Sequence, residues 1–236
     1  MGTITNSDSR HATLSEIVAD VLRQAICDGT YICGDRLVEL TIAHEMNVSQ
    51  NTARDALRIL EREGWVVKRP RYGVYVRDFS ATEVDEIYLL RGALEPLMIE
   101  WAFANGLPSH TEQMREFYDE ARNFADLGNL RGMRRSLAAI HESWLSIADH
   151  PRTAEILTHL HNQCCLLEAT LDTYHESDSC PQQVLSHYDM LTAAITDGDR
   201  PKTLATLKTV LNTEHQWMQT HFQQYNARLA GDGDRE

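Results

Sequence analysis

The stretch Ser49-Gln50-Asn51-Thr52-Ala53-Arg54-Asp55-Ala56-Leu57-Arg58-Ile59-Leu60-Glu61-Arg62-Glu63-Gly64 is followed by Trp65-Val66-Val67-Lys68 and, after Arg69-Pro70-Arg71-Tyr72-Gly73, by Val74-Tyr75-Val76-Arg77. Its hydrophobic period changes in mid-course. Ser49 suits a helix N-cap, because its hydroxyl can accept from an amide of the first turn, and Gly64 suits the stop. Between them Ala53, Ala56, Leu57 and Leu60 recur at helical spacing and predict a buried stripe. Asn51, Arg54 and Arg58 share another face at i, i+3 and i+7, so that face presents amide and guanidinium donors. Beyond Gly64 the residues are β-branched and aromatic, which predicts a two-stranded hairpin of 65–68 and 74–77 around a basic turn.

Upstream, Ile17, Val18, Val21, Leu22, Ala25 and Ile26 predict a helix from Leu14 that stops at Gly29, and a short helix is expected from an N-cap at Thr41 through Met46. Three helices closed by a basic hairpin outline a winged helix-turn-helix, in which the third helix enters a DNA groove and the hairpin lies beside it. The net charge of −13 over 236 residues argues against a nucleic-acid partner until it is divided. Residues 1–80 hold 10 Lys+Arg and 11 Asp+Glu, whereas 81–236 hold 12 and 24. Residues 54–77 alone carry seven bases against three acids. The acidity therefore belongs to the C-terminal part, and the segment expected at DNA is basic.

The stretch Leu14 to Val76 resembles the DNA-binding domain of the GntR family of bacterial transcription regulators. Ile26-Cys27-Asp28-Gly29, Gly34-Asp35-Arg36-Leu37, Glu39, Ser49 to Leu57, Leu60-Glu61, Glu63-Gly64 and Tyr72 to Val76 carry the resemblance. Gln50 stands where an arginine is usual, Cys33 where proline is usual and Asp55 where glutamate is usual. Gln50 removes a cation from the helix start and offers an amide suited to adenine rather than guanine. The resemblance implies a DNA surface built from Arg36, Ser49, Gln50, Asn51, Thr52, Arg54, Arg58, Arg71, Tyr72 and Gly73.

With 42% hydrophobic residues, 12 glycines and 6 prolines, the chain as a whole reads as mainly α. Expected domains are a disordered tail 1–12, the winged helix-turn-helix 13–78, an all-helical effector-binding and dimerisation domain 79–228, and a disordered tail 229–236. Ser80-Ala81-Thr82-Glu83 and Ser109-His110-Thr111-Glu112 are capping-box patterns that predict helix starts. Gly128, Pro151, Pro181 and Gly198-Asp199-Arg200-Pro201 punctuate the rest into about six helices. Arg91-Gly92-Ala93-Leu94-Glu95, Ile140-His141 and His187 ahead of Gly198-Asp199 resemble the C-terminal ligand domain of the FadR-type branch of the same family.

That branch often holds a divalent metal with an aspartate one turn before a first histidine, plus two later histidines. Here His141 takes the first histidine position and Leu137 the aspartate position. His187 or Tyr188 falls at the second and Thr209 or Val210 at the third, with Glu214 one turn beyond as a substitute. A metal on His141, His187 and Glu214 is thus the lesser expectation, and no cofactor is required. The larger one is a pocket for a small carboxylic acid, anchored by Arg134 and, as the resemblance implies, by Arg91, with His141 and His187 on its wall. His110, His150, His159, His161, His175, His215 and His221 read as surface or packing residues, and the Cys164-Cys165 pair as packing.

Five scattered cysteines without CxxC spacing argue against a disulfide framework or a zinc site. No charge-free apolar run reaches membrane-spanning length, and no GxSxG, HExxH, GxGxxG or Walker signature occurs. The expectation is a cytoplasmic homodimeric repressor, not an enzyme, that binds operator DNA, is released by its effector and has no membrane partner; the alternatives are the same regulator with a metal-containing effector site, or a DNA-binding protein with no effector.

Overall fold

A computed structural model describes residues 12–174 and 181–233. The predicted tail 1–12 lies almost entirely outside these residues, as does His175. Helix α1 (Leu14–Cys27) opens with a capping box from Thr13 to Glu16. Strand β1 (Arg36–Leu37) leads into α2 (Glu39–Glu45), and α3 (Gln50–Arg62) follows with Ser49 as its N-cap. Strands β2 (Val66–Arg69) and β3 (Gly73–Val76) form the wing. The expected start of α2 is corrected: Val38 is the N-cap and Thr41 lies inside the helix, because the chain leaves β1 extended and turns at once. The hairpin becomes a three-stranded antiparallel sheet of order β1-β3-β2, with Arg36 opposite Tyr75 and Val66 opposite Val76. Two residues are too few for β1 to show a period in the sequence.

Six α-helices follow among the described residues, the number expected: α4 (Ala81–Ala104), α5 (Thr111–Asp126), α6 (Leu130–Ala148), α7 (Pro151–Tyr174), α8 (Pro181–Thr196) and α9 (Arg200–Gly233). Ser80 caps α4 as predicted, with Glu83 returning to the Ser80 amide. The second capping box does not form. A 3-10 turn over Leu107–His110 absorbs Ser109, and α5 starts at Thr111 with no side-chain cap. Helix α9 continues to Gly233, so residues 229–233 extend the helix past the expected boundary at 228. No helix among the described residues is long and apolar enough to cross a membrane.

Two cores result. Val18, Leu22, Ile26, Ile42, Leu57, Leu60, Trp65 and Val76 close the winged domain, and residues of α4 to α9 close the larger bundle around Trp144, Met98 and Ile140. Leu166 of α7 is fully buried in the winged domain's core, so α7 belongs to both. The seam is specific: Asn162 Nδ2 donates to the Glu63 carbonyl at 3.1 Å, the Cys33 amide donates to Thr170 Oγ1 at 3.1 Å, and Arg131 reaches the Asp28 carbonyl. Gly64 sits here at φ +84°, and a Cβ on it would come within 2.5 Å of the His159 ring. Glycine is needed there for both the backbone and the space.

Candidate functional site: a DNA-facing helix coupled to a polar cavity

Helix α3 buries Ala53, Ala56, Leu57 and Leu60, which leaves Asn51 and Arg58 exposed and Arg54 half-exposed on the outer side. Ser49 Oγ accepts from the Thr52 amide at 3.1 Å and lies 2.8 Å from Thr52 Oγ1, so these two expected DNA residues also build the helix start. Glu39 of α2, absent from the residues the sequence nominated, organises the face. It accepts from Arg54 Nη2 at 2.8 Å and Nε at 3.1 Å, and from Gln50 Nε2 at 3.2 Å. The Arg54 hydrogen bond holds its carboxyl below the usual range. Gln50 and Arg54 are thereby pre-oriented side by side. Arg58 pairs with Asp55 at 3.1 Å.

On the wing, Arg71 adopts φ +69° and Gly73 φ +113°, which turns the exposed Tyr72 outward. A Cβ at Gly73 would stand 3.4 Å from Arg36 Nε, so the glycine lets Arg36 lie across the turn. Arg69 stacks 4.5 Å over the Tyr75 ring and bonds Asp78 at 2.9 Å. The structure brings Gln50, Asn51 and Arg54 together on α3, and Arg36, Arg71, Tyr72 and Gly73 together at the wing.

A cavity of about 820 Å3 lies between the winged domain and the bundle. Arg23, Cys27 and Trp65 border it from the first, and Arg134, His141, Glu168, His187 and Glu214 from the second. Both expected anchors are already paired. Arg91, 4% exposed, donates through Nε to Glu95 at 2.7 Å and through Nη1 to Glu214 at 3.0 Å. Arg134 pairs with Asp172 and stands 3.8 Å from Glu168, with its guanidinium 5.3 Å from the centre of the Trp217 ring. Burial pushes the Glu168 carboxyl up to about 7 despite the Arg134 charge. The two cations thus face four carboxylates, Glu95, Glu168, Asp172 and Glu214, one of which titrates near neutrality.

His141 sits between a phenol and a carboxylate. The Tyr188 hydroxyl bonds Glu214 Oε1 at 3.0 Å. His141 Nε2 lies 2.7 Å from the same phenol oxygen, and the ring's tautomer decides which of the two donates. Its Nδ1 lies 2.8 Å from Glu95 Oε2, and these two buried atoms have no neighbour to bond but each other. An Nδ1–H donating to Glu95, or a metal ion held between the two atoms, would satisfy both. His161 completes the group, its Nε2 being 3.0 Å from Glu95 Oε1. Ligand atoms of Glu95, His141 and His161 all lie within 4.8 Å of one another. Burial raises the Glu95 carboxyl, but Arg91 and His141 outweigh this and hold it well below the usual range. Burial lowers His161.

The metal positions implied by the branch do not fit, because Leu137 and buried Val210 offer no ligand atom, exposed Thr209 donates its hydroxyl to the Ala205 carbonyl, and Tyr188 is bonded to Glu214. His187 lies on the cavity wall, and Glu214 is bound to Arg91 and Tyr188. His161, read from the sequence as packing, joins His141 instead. It lies on α7 and Glu95 on α4, and only the bundle's packing brings them to His141 on α6.

Residues 14–76 match the family described as bacterial regulatory proteins, gntR family, and residues 86–213 match the FCD domain. The chain belongs to the GntR family, and the FCD domain places it in the FadR-type branch. An HTH-type transcriptional regulator YdhC of Bacillus subtilis is 37% identical over 34% of this chain and 35% of its own length. The probable D-xylose utilization operon transcriptional repressor of Paenarthrobacter nicotinovorans is 26% identical over 62% of this chain and 64% of its own. The chain thus aligns with between a third and two-thirds of these relatives. A GntR regulator structure from Rhodococcus sp. RHA1 superposes at TM-score 0.74 with 26% identity, covering 86% of this chain and 96% of that one. These similar proteins are regulators, not enzymes.

Proposed function

We propose that the protein is an effector-responsive transcriptional repressor that acts in the cytoplasm as a homodimer on operator DNA. Helix α3 would enter the major groove with Gln50, Asn51 and Arg54 toward bases, while Arg36, Arg71 and the Tyr72-Gly73 turn approach the backbone and minor groove. Exposed Leu90, Ala93 and Leu97 on one side of α4 support a dimer contact. The observation that carries the reading is the cavity bordered by both domains, since a molecule held there touches the winged domain and the bundle at once. Such a molecule shifts DNA binding only if it binds one arrangement of the two better than the other.

A small carboxylate remains the preferred effector, with Arg134 as its anchor. Arg91 is locked by two acids, whereas of the two acids at Arg134, Asp172 and Glu168, the second can take up a proton near pH 7, so that an incoming carboxylate takes its place beside Arg134 without a net gain of buried negative charge. A divalent metal on Glu95, His141 and His161 is the second reading, favoured by the convergence of their ligand atoms within 4.8 Å of one another.

A thermal-shift screen of small mono- and dicarboxylates, with and without zinc, nickel or manganese, tests both. Stabilisation by a carboxylate that disappears in Arg134→Ala, together with ligand-dependent release of DNA, supports the first. A metal retained through dialysis and lost in His141→Ala supports the second. Neither response in a protein that still binds DNA would refute control through this cavity.

A further inference from the structure

Cys164 and Cys165 are neighbours on α7, but their side chains diverge. Cys164 is buried beside Arg91, with Sγ 3.6 Å from Arg91 Nη1. Cys165 is half-buried and packs on the winged domain's core. Its Sγ lies 3.3 Å from Sγ of Cys27, the last residue of α1 and 138 positions away in sequence. Both thiols are free and both border the cavity. A disulfide sulfur pair is about 2.05 Å apart, so the gap to close is about 1.3 Å.

We propose that Cys27 and Cys165 are an oxidation site whose product is a covalent latch between the winged domain and the helical domain. The two thiols differ in character. The hydrogen bond from Cys165 lowers the Cys27 thiol against the effect of burial, and the same bond, with burial, raises Cys165 well above its ordinary value. With Cys27, at the end of α1, as the attacking thiolate, Cys165 at 3.3 Å is the resolving thiol. With a hydroperoxide as oxidant, the Cys27 thiolate attacks the peroxide oxygen, the O–O bond breaks, and Cys27 becomes a sulfenic acid as hydroxide or alkoxide leaves. The Cys165 sulfur then attacks the Cys27 sulfur, the S–O bond breaks, and the Cys165 proton leaves with the hydroxyl as water. Each sulfur gives up one electron, and the peroxide takes both. The other two described thiols are poor competitors, because burial pushes Cys33 up to about 11 and Cys164 up to about 12.

The latch would join the end of α1 to the helix that carries His161, Glu168 and Asp172. Fixing α1 on α7 removes relative motion of the two domains at their seam, so the position of α3 stops responding to what the cavity holds.

The test treats the full-length protein with hydrogen peroxide and maps its peptides without reduction. A Cys27–Cys165 cross-linked peptide is expected in the wild type and in Cys33→Ser. It should be absent in Cys165→Ser, where Cys27 stops at a sulfenic acid that dimedone traps. DNA selected from a random pool on the reduced protein should bind the oxidised wild type with affinity changed about fivefold or more. Dithiothreitol should restore the original value, and oxidised Cys165→Ser should show no change. Oxidation that leaves the two cysteines unlinked in folded protein overturns the proposal. So does a complete link that alters DNA affinity less than about twofold.

Discussion

Glu168→Gln isolates the one cavity carboxylate that titrates near neutrality. Folded Glu168 keeps its proton to about pH 7, against the ordinary 4.5. The folded state therefore binds more protons in that window, and stability is lost as pH rises through it. The ionised carboxylate is fully penalised above the window and not at all below it. At 1.36 kcal/mol per pKa unit, a shift of this size amounts to about 3 kcal/mol. Glutamine keeps the shape and stays neutral, so the variant should match wild type near pH 4.5 and exceed it by about 3 kcal/mol at pH 8.5. For a chain of this size that is a rise in melting temperature of about 6–12 °C. Thermal unfolding followed by circular dichroism at both pH values measures it. If Glu168→Gln is equal to or less stable than wild type at pH 8.5, Glu168 is ionised through its pairing with Arg134, and the route by which it cedes that arginine to a ligand fails.

Arg54→Ala should weaken specific DNA binding by about 1–3 kcal/mol, whereas Arg71→Ala should lower affinity evenly across sequences and flatten its salt dependence; gel-shift titrations at two salt concentrations separate them. Gln50→Arg should change base preference at one position per half-site in operator selection, because a guanidinium favours guanine where an amide favours adenine. In this protein the new arginine would also bring a second cation to Glu39, whose carboxylate now serves Gln50 and Arg54 together. Glu95→Gln leaves Arg91 with Glu214 alone in a buried site and should cost about 3–5 kcal/mol in urea denaturation.

The sequence by itself determined the winged domain and the class of protein. Helix α3, its Ser49 cap, its buried stripe and the hairpin are written in local periodicity and turn chemistry, because each depends on residues within one or two turns of each other. The six later helices were also legible, from the prolines, glycines and the Ser80 cap that interrupt their patterns. What holds the functional side chains was not. Glu39 meets Arg54 across 15 positions, His161 meets Glu95 across 66, and Cys27 meets Cys165 across 138. Spacing within one element predicts which residues share a face, but it carries no information about which other element that face will meet. Arg91 and Arg134 were identifiable as cations on an apolar background, while their pairing with acids from α4, α7 and α9 arises only when the bundle packs. A charge placed in that interior must find its counterpart among whatever the fold brings within about 4 Å, and that proximity is a property of the tertiary structure alone.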